Sequence, residues 1–219
     1  MKNIDGLQKI LYDKFHRRPP GIDKLDRLWE AAVLIPLVET PAGISILFEE
    51  RAHGLRRQPG EICFPGGKVE CGDGGFAHTA VRETCEELGI KSEQIVLCGE
   101  LDALVTHAGP IIHPFVGVLK VSGEFSFNKS EVERVFTVPL EKLLQQTPQR
   151  YSMYLADRAG KDFPFELAPS RSREWRRHKE YYVYFYRWEG EVIWGLTARM
   201  LYAFLRRSDD VLRDFFENE

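Results

Sequence analysis

Apolar and polar positions along the chain change period several times, and each change marks an element. Residues 5–17 carry Leu7, Ile10, Leu11 and Phe15 at helical spacing before Pro19-Pro20, which predicts an N-terminal helix that stops at the prolines. Ala31–Val38 and Ile44–Phe48 are apolar runs joined by Thr40-Pro41-Ala42-Gly43, the turn chemistry of a hairpin. A Gly/Pro-rich loop covers roughly 53–75. After it Ala77, Ala80, Val81, Thr84, Cys85 and Leu88 repeat with a helical period, and Gly89 is placed to cap that helix. Further strands are expected at Ile95–Cys98, Ile111–Val121, Val135–Val138 and Tyr181–Trp188, the last turning through Glu189-Gly190 into Val192–Trp194. Pro139–Leu144 reads as a short helix. Thr197–Phe216 reads as one longer helix with Leu201, Phe204, Leu205, Leu212 and Phe216 on its apolar side. Residues 149–180 have no readable period and stand as a long excursion. Strands and helices interleave without a regular βαβ repeat. The expected fold is therefore of the α/β (α+β) type, a mixed sheet with helices on both faces, in a single domain over residues 1–219.

Composition narrows the function classes. With 219 residues, 43% of them hydrophobic, the chain can bury a sizeable core. Thirty basic against thirty-three acidic residues leave a net charge of −3, so no global field draws the chain to a polyanion, and no nucleic-acid partner is expected. The basic cluster Arg171, Arg173, Arg176, Arg177, His178 and Lys179 around Trp175 is short and reads as an exposed segment. The first twenty-five residues hold no hydrophobic run of signal-peptide or membrane-span length, so a cytoplasmic location without membrane association is expected. Cys63, Cys71, Cys85 and Cys98 show no CxxC pair and read as free thiols. His53, His78, His107, His113 and His178 share no ligand spacing.

The chemistry concentrates in Arg82-Glu83-Thr84-Cys85-Glu86-Glu87-Leu88-Gly89-Ile90. Glu83 and Glu87 stand one helical turn apart with Glu86 beside them, so three carboxylates can converge on one helix face. A solvated acidic face would explain the three acids alone. The opposite face is apolar, however, and the preceding Phe64-Pro65-Gly66-Gly67 can bring bare backbone close to a ligand. A divalent cation would offset the repulsion, and hard oxygen donors without a His/Cys set suit Mg²⁺ or Mn²⁺ rather than zinc. Arg82 is placed to pair with a carboxylate and fix its rotamer.

At these residues the chain resembles the Nudix hydrolase family, whose signature runs Gly, five residues, Glu, seven residues, Arg-Glu-aliphatic-x-Glu-Glu-x-Gly-aliphatic. Gly67 to Ile90 fits with departures: Asp73 stands for the first Glu, eight residues (74–81) precede Arg82, and Thr84 replaces the aliphatic. The resemblance implies an α/β/α sandwich, a divalent-metal requirement and hydrolysis of a nucleoside diphosphate linked to another group. It implies Glu83 and Glu87 as metal ligands, Glu86 as ligand or water-orienting base, Arg82 as the group that orients Glu83, and Gly67 as a carbonyl donor. A distal carboxylate is often supplied from a loop, and Glu131, rather than Glu133, is taken for it.

Upstream, Arg51-Ala52, Arg56, Gly60 and Phe64-Pro65-Gly66-Gly67 are similar in spacing to the extra motif of the coenzyme A diphosphatase branch of that family. That motif usually begins Leu-Leu-Thr, where this chain has Leu47-Phe48-Glu49. The branch also has Asp at the position of Asp73 and the same stretched gap. Val135–Leu140 and Ile193–Ala198 resemble further segments of it, so the likeness covers roughly residues 30–205 apart from 149–180. It implies a small-molecule substrate, coenzyme A or a derivative, bound through Arg51, Arg56, Gly60 and Phe64. Arginine forks suit phosphate oxygens. Cleavage would give 3′,5′-ADP and 4′-phosphopantetheine. The alternatives are another Nudix substrate such as ADP-ribose, a dinucleotide or a nucleoside triphosphate, and a non-catalytic ligand sensor. The oligomeric state is left open, a homodimer included.

Overall fold

The computed structural model describes residues 4–16, 29–107, 109–121 and 125–217. In chain order the elements are α1 (Ile4–Phe15), β1 (Glu30–Thr40), β2 (Gly43–Arg51), β3 (Ile62–Cys63), β4 (Gly66–Lys68), α2 (Phe76–Leu88), β5 (Ile95–Glu100), β6 (Leu104–Val105), β7 (Ile111–Leu119), β8 (Val132–Pro139), α3 (Leu140–Leu144), β9 (Gln149–Asp157), β10 (Arg176–Trp188), β11 (Glu191–Trp194), α4 (Gly195–Arg207) and α5 (Asp209–Glu217). The prolines expected to end the first helix lie outside the described residues. Leu7, Ile10, Leu11 and Phe15 of α1 are exposed rather than packed.

Strands β1 to β8 form one mixed sheet in which β1 runs parallel to β7 and antiparallel to β2. Period-2 alternation sorts β1 onto two cores. Ala31 and Ile35 face a cluster with Ile46, Phe48, Phe64, Leu201 and Phe204, while Ala32, Leu34 and Val38 face a cluster with Leu47, Ala80 and Leu88 of α2. Helices therefore cover both faces, as the interleaved pattern predicts. Leu37 to Thr40 pair with β2, but Ala31 to Val33 pair on that same edge with β4; likewise β2 leaves β1 after Ile46 and takes β3 at Glu49 and Glu50. The two strands splay, and the wedge between them is filled by the Phe64–Gly67 segment.

Residues 149–180, which the sequence reads as an excursion, contain strand β9 and the start of β10, paired antiparallel over Gln149–Asp157 and Arg176–Phe185. Much of this hairpin is solvated on both sides, with Tyr151, Met153, Tyr154 and Tyr182 exposed, so no burial imposes an alternating pattern. Stacking supports it instead: Arg150 lies over Tyr182 and Arg177 over Tyr154. The basic cluster around Trp175 is exposed. The hairpin joins β11 in a second, three-stranded sheet. That sheet is tied to the first where Arg134 bridges Glu50 and Glu191, and helix α4 is tied to the first sheet where Thr197 Oγ1 donates to the Ile62 carbonyl at 3.0 Å. The expected single terminal helix is two, α4 and α5, broken at Ser208, where Ser208-Asp209-Asp210 supplies residues that favour starting a new helix.

Candidate active site

The glycine turn is shaped by what surrounds it. A Cβ at Gly66 would lie 2.5 Å from the Ala32 carbonyl oxygen, and φ there is +152°. A Cβ at Gly67 would lie 2.4 Å from the carboxyl carbon of Glu83. Gly66 must therefore be bare for β4 to pair with β1, whereas at Gly67 the absence of a Cβ leaves room for the Glu83 carboxyl. Helix α2 begins after Gly75 and ends at Gly89, which takes the left-handed conformation at φ +65° and closes the last turn. Thr84 is buried on its apolar face, and its hydroxyl is satisfied by the Ala80 carbonyl at 2.7 Å, which is how a threonine replaces an aliphatic residue there.

The three glutamates of α2 do not share one environment. Glu87 is 4% exposed, and its Oε2 accepts the Gly66 N–H at 2.8 Å. Burial pushes its pKa well up, reinforced by the charge of Glu49. Glu83 is half-buried beneath Gly67, and burial raises its pKa against the pull of Arg82. Glu86 turns outward, with its side chain 55% exposed, onto a shallow cleft of about 410 Å³ lined also by His78, Val81, Arg82, Cys85 and Ser92.

Arg82 holds this arrangement. Its Nε and Nη2 form a fork on Asp73 at 2.9 and 3.1 Å, Nη2 also reaches Glu83 Oε1 at 2.9 Å, and Nη1 reaches Glu86 Oε2 at 3.2 Å. Asp73, whose side chain is 3% exposed, further accepts from Thr79 Oγ1 at 2.7 Å and from the Glu70 N–H at 3.0 Å. The Arg82 guanidinium, then those two donors, hold its pKa below the usual carboxylate range, and the Arg82 pKa is raised in turn.

Two residues of β2 complete the floor. Ser45, Leu47, Glu49 and Arg51 alternate onto the face covered by α2, opposite Ile46 and Phe48. Glu49 is 1% exposed; Cys63 Sγ, on the paired residue of β3, donates to its Oε1 at 3.3 Å. Burial raises its pKa to about 7, with opposing contributions from Cys63 and Arg51. Among the described residues neither Glu49 Oε2 nor Arg51 Nε, both buried, has a hydrogen-bond partner. Sequence reasoning passed over Glu49 because its apolar neighbours read as a plain strand. The alternation Leu47, Glu49, Arg51 was the available signal.

Residues 29–157 match the family model of the NUDIX domain. The chain belongs to the Nudix hydrolase family. It is 31% identical over 184 residues to an uncharacterized Nudix hydrolase, NudL, of Photorhabdus laumondii, covering 84% of this chain and 87% of that one. It is 36% identical over 132 residues to the peroxisomal coenzyme A diphosphatase NUDT7 of Mus musculus, covering 60% of this chain and 55% of that one. Among solved structures, a binary complex of the Caenorhabditis elegans Ap4A hydrolase is 21% identical with a TM-score of 0.44, over 52% of this chain and 83% of that one.

Nudix hydrolases act on small molecules and generally use divalent cations. The residues here fit a hard cation in their chemistry: oxygen donors, crowded negative charge, and one buried carboxylate oxygen without a donor among the described residues. Their present positions differ from the sequence expectation, since Glu83, Glu86 and Glu87 do not converge on one point. No three acidic, histidine or cysteine side chains among the described residues are gathered as a ligand set. The reason is Arg82, which draws Glu83 and Glu86 to its own flank while Glu87 is held by Gly66.

The other expected site residues divide. Arg51 lies beside Glu49 and Glu87, and its charge acts on both. Glu131 stands on the loop before β8, its carbonyl accepting the Ala52 N–H at 2.8 Å, and its charge reaches Glu49 and Glu83. Arg56 is exposed in the loop. Gly60 is a turn residue at φ +71° whose N–H bonds the Arg51 carbonyl at 2.9 Å, so it positions Arg51. Phe64 is a correction: it is 2% exposed and stacks on Phe48 with ring centroids 5.0 Å apart, so its side chain packs the core and offers no surface to a substrate.

Proposed function

We propose that this Nudix hydrolase cleaves the diphosphate of coenzyme A or its derivatives to 3′,5′-ADP and 4′-phosphopantetheine or the corresponding derivative. The observation that carries the reading is Arg51: the first arginine of the upstream motif sits among the carboxylates, its buried Nε without a hydrogen-bond partner among the described residues. Such a donor is suited to a phosphate oxygen. The 36% identity to a protein named as a coenzyme A diphosphatase supports the same substrate.

In this reading Glu83 and Glu87 hold a Mg²⁺ or Mn²⁺ ion, with Glu86 and the Gly67 carbonyl as further donors. A cation so bound supplies Lewis acidity at the phosphoryl oxygens and lowers the pKa of a water. Arg82, anchored on Asp73, orients Glu83 and opposes the burial that raises its pKa. Arg51 grips the diphosphate, and Arg56 in the open loop meets the 3′-phosphate. Water attacks one phosphorus, the bridging P–O bond breaks, and Glu86 or Glu131 takes the proton from the water. The chain works as a single domain in the cytoplasm, a location consistent with its free cysteines; no helix among the described residues is long and apolar enough to cross a membrane.

The test is a panel of coenzyme A, acetyl coenzyme A, NADH, ADP-ribose and a nucleoside triphosphate with Mg²⁺ or Mn²⁺, products identified. Coenzyme A species should be the best substrates. Cleavage of ADP-ribose well above them would transfer the reading to another Nudix substrate, and no turnover of any diphosphate would favour a ligand sensor.

A further inference from the structure

Glu49 has no part in the reading above, yet its surroundings are unusual. It stands where the motif of the resembled branch carries threonine, at the point where β2 leaves β1 and pairs with β3. A threonine there would be neutral, whereas Glu49 brings a carboxylate into a nearly water-free floor. Its Oε1 accepts the Cys63 thiol, and its Oε2 is buried without a partner among the described residues.

The charges acting on Glu49 make this stranger. Glu87, Glu83 and Glu131 add negative charge around it. Arg51 is the cation that acts on it, but no ion pair or hydrogen bond joins the two side chains. A buried anionic oxygen beside a second buried carboxylate calls for a counter-charge that the side chains around it do not deliver. The oxygen-only character of the pair selects the kind of counter-charge. Cys63, half-buried beside Glu49, spends its thiol hydrogen on Glu49 Oε1 at 3.3 Å and so serves as a hydrogen donor.

We propose that Glu49 is a further cation ligand, its Oε2 and the Glu87 carboxylate holding one Mg²⁺ or Mn²⁺ on the floor of the site between β2 and α2. Two carboxylates are enough for such an ion, because Mg²⁺ keeps several waters and seldom uses an all-protein cage. The inference rests on Glu87 as a metal ligand in the reading above, but not on coenzyme A as the substrate. Cys63 acts here as a positioning residue that fixes the rotamer of Glu49 by its bond to Oε1.

The experiment is Mn²⁺ binding to the chelator-stripped full chain, measured by calorimetry and by electron paramagnetic resonance of free Mn²⁺, with the Mn²⁺-induced rise in Tm as a second readout. Glu49→Gln, which keeps size and removes charge, is expected to lose one bound Mn²⁺ or weaken it about 10–100-fold, and to show a smaller Tm rise. Glu49→Thr, the residue of the branch motif, gives the same readout if the glutamine variant fails to fold. Cys63→Ser should retain binding or weaken it less than either. Mn²⁺ affinity and stoichiometry unchanged in a folded Glu49 variant would overturn the proposal, and the two carboxylates would then share a proton instead. Glu87→Gln separates the failures: if it loses Mn²⁺ while the Glu49 variants keep it, only the role of Glu49 falls. If all keep it, the metal assignment of the whole helix falls with it.

Discussion

Asp73 and Glu49 are both buried carboxylates within the same site, and the protein treats them in opposite ways. Asp73 accepts two guanidinium nitrogens, a hydroxyl and a backbone N–H, and its pKa is held down. Among the described residues Glu49 has a single thiol donor and one oxygen without a partner, and its pKa is pushed up. A carboxylate supplied with donors is a structural anchor whose ionisation costs the fold little. One deprived of donors destabilises the fold, and such strain is retained where a ligand relieves it. Arg82 marks the boundary between the two regions, because it is fixed by Asp73 and in turn steers Glu83 and Glu86.

The comparison can be broken at four points. Glu87→Gln removes charge from the unsatisfied side and should lower kcat about 10²–10³-fold while the circular dichroism spectrum and Tm stay near those of the parent. Near-normal turnover would show that Glu87 carries no cation. A second effect is on stability. Glu49 is protonated more readily in the folded chain, at about 7, than in the unfolded chain near 4.5. The folded state therefore holds the extra proton between those values. In the chelator-stripped protein the Glu49 contribution to stability should be greatest below pH 4.5, shrink as pH rises towards 7, and then level off, a loss of no more than about 3 kcal/mol. Urea unfolding between pH 4 and 8 measures it, and Glu49→Gln should flatten the slope.

Gly67→Ala is expected to act through geometry. Its Cβ would overlap the Glu83 carboxyl, the far end of a flexible side chain, so that group must swing away while the backbone stays in place. An activity loss of about 10²-fold with little change in Tm is the expected result, since ligand displacement of an ångström can cost that much. Asp73→Asn gives the smallest effect, about 10-fold in kcat, because Arg82 keeps its contacts to Glu83 and Glu86 but loses its charged anchor. A restoration of rate by Asp73→Glu, the residue of the general signature, would confirm that orientation is what the anchor supplies. The anchor is also acid-resistant. Its contribution to stability is present above the ordinary aspartate pKa and is lost only as pH falls well below it, so acid unfolding of Asp73→Asn should lack that lowest-pH component.

Much of the central sheet was legible from periodicity. The hairpin of β1 and β2, helix α2 with its Gly89 cap, and β7 all follow apolar runs that burial enforces. Strand β9 and the start of β10 were not legible, because stacking of arginines on tyrosines leaves no alternation to read, whereas the Tyr181–Trp188 part of β10 was. The break at Ser208 was hidden by the apolar positions Leu212 and Phe216, which continue the helical spacing across it. Of the site, Glu83, Glu87, Arg82 and Gly67 could be picked out by their order along the chain. Phe64 could not be assigned correctly, since its spacing in the motif is the same whether the ring faces a ligand or the core.

Local order along the chain decided the family-defining helix, its two turn-spaced acids and the bare glycines before it, because helical and turn geometry depend on neighbours in sequence. Folding decided which acids became buried together. Glu49 and Glu87 are thirty-eight positions apart in the chain, and only the splaying of β1 from β2, with Cys63 and the glycine turn in the gap, seats them on one water-poor floor. A carboxylate's proton affinity depends on which donors and charges surround it in space, and strand register sets those neighbours.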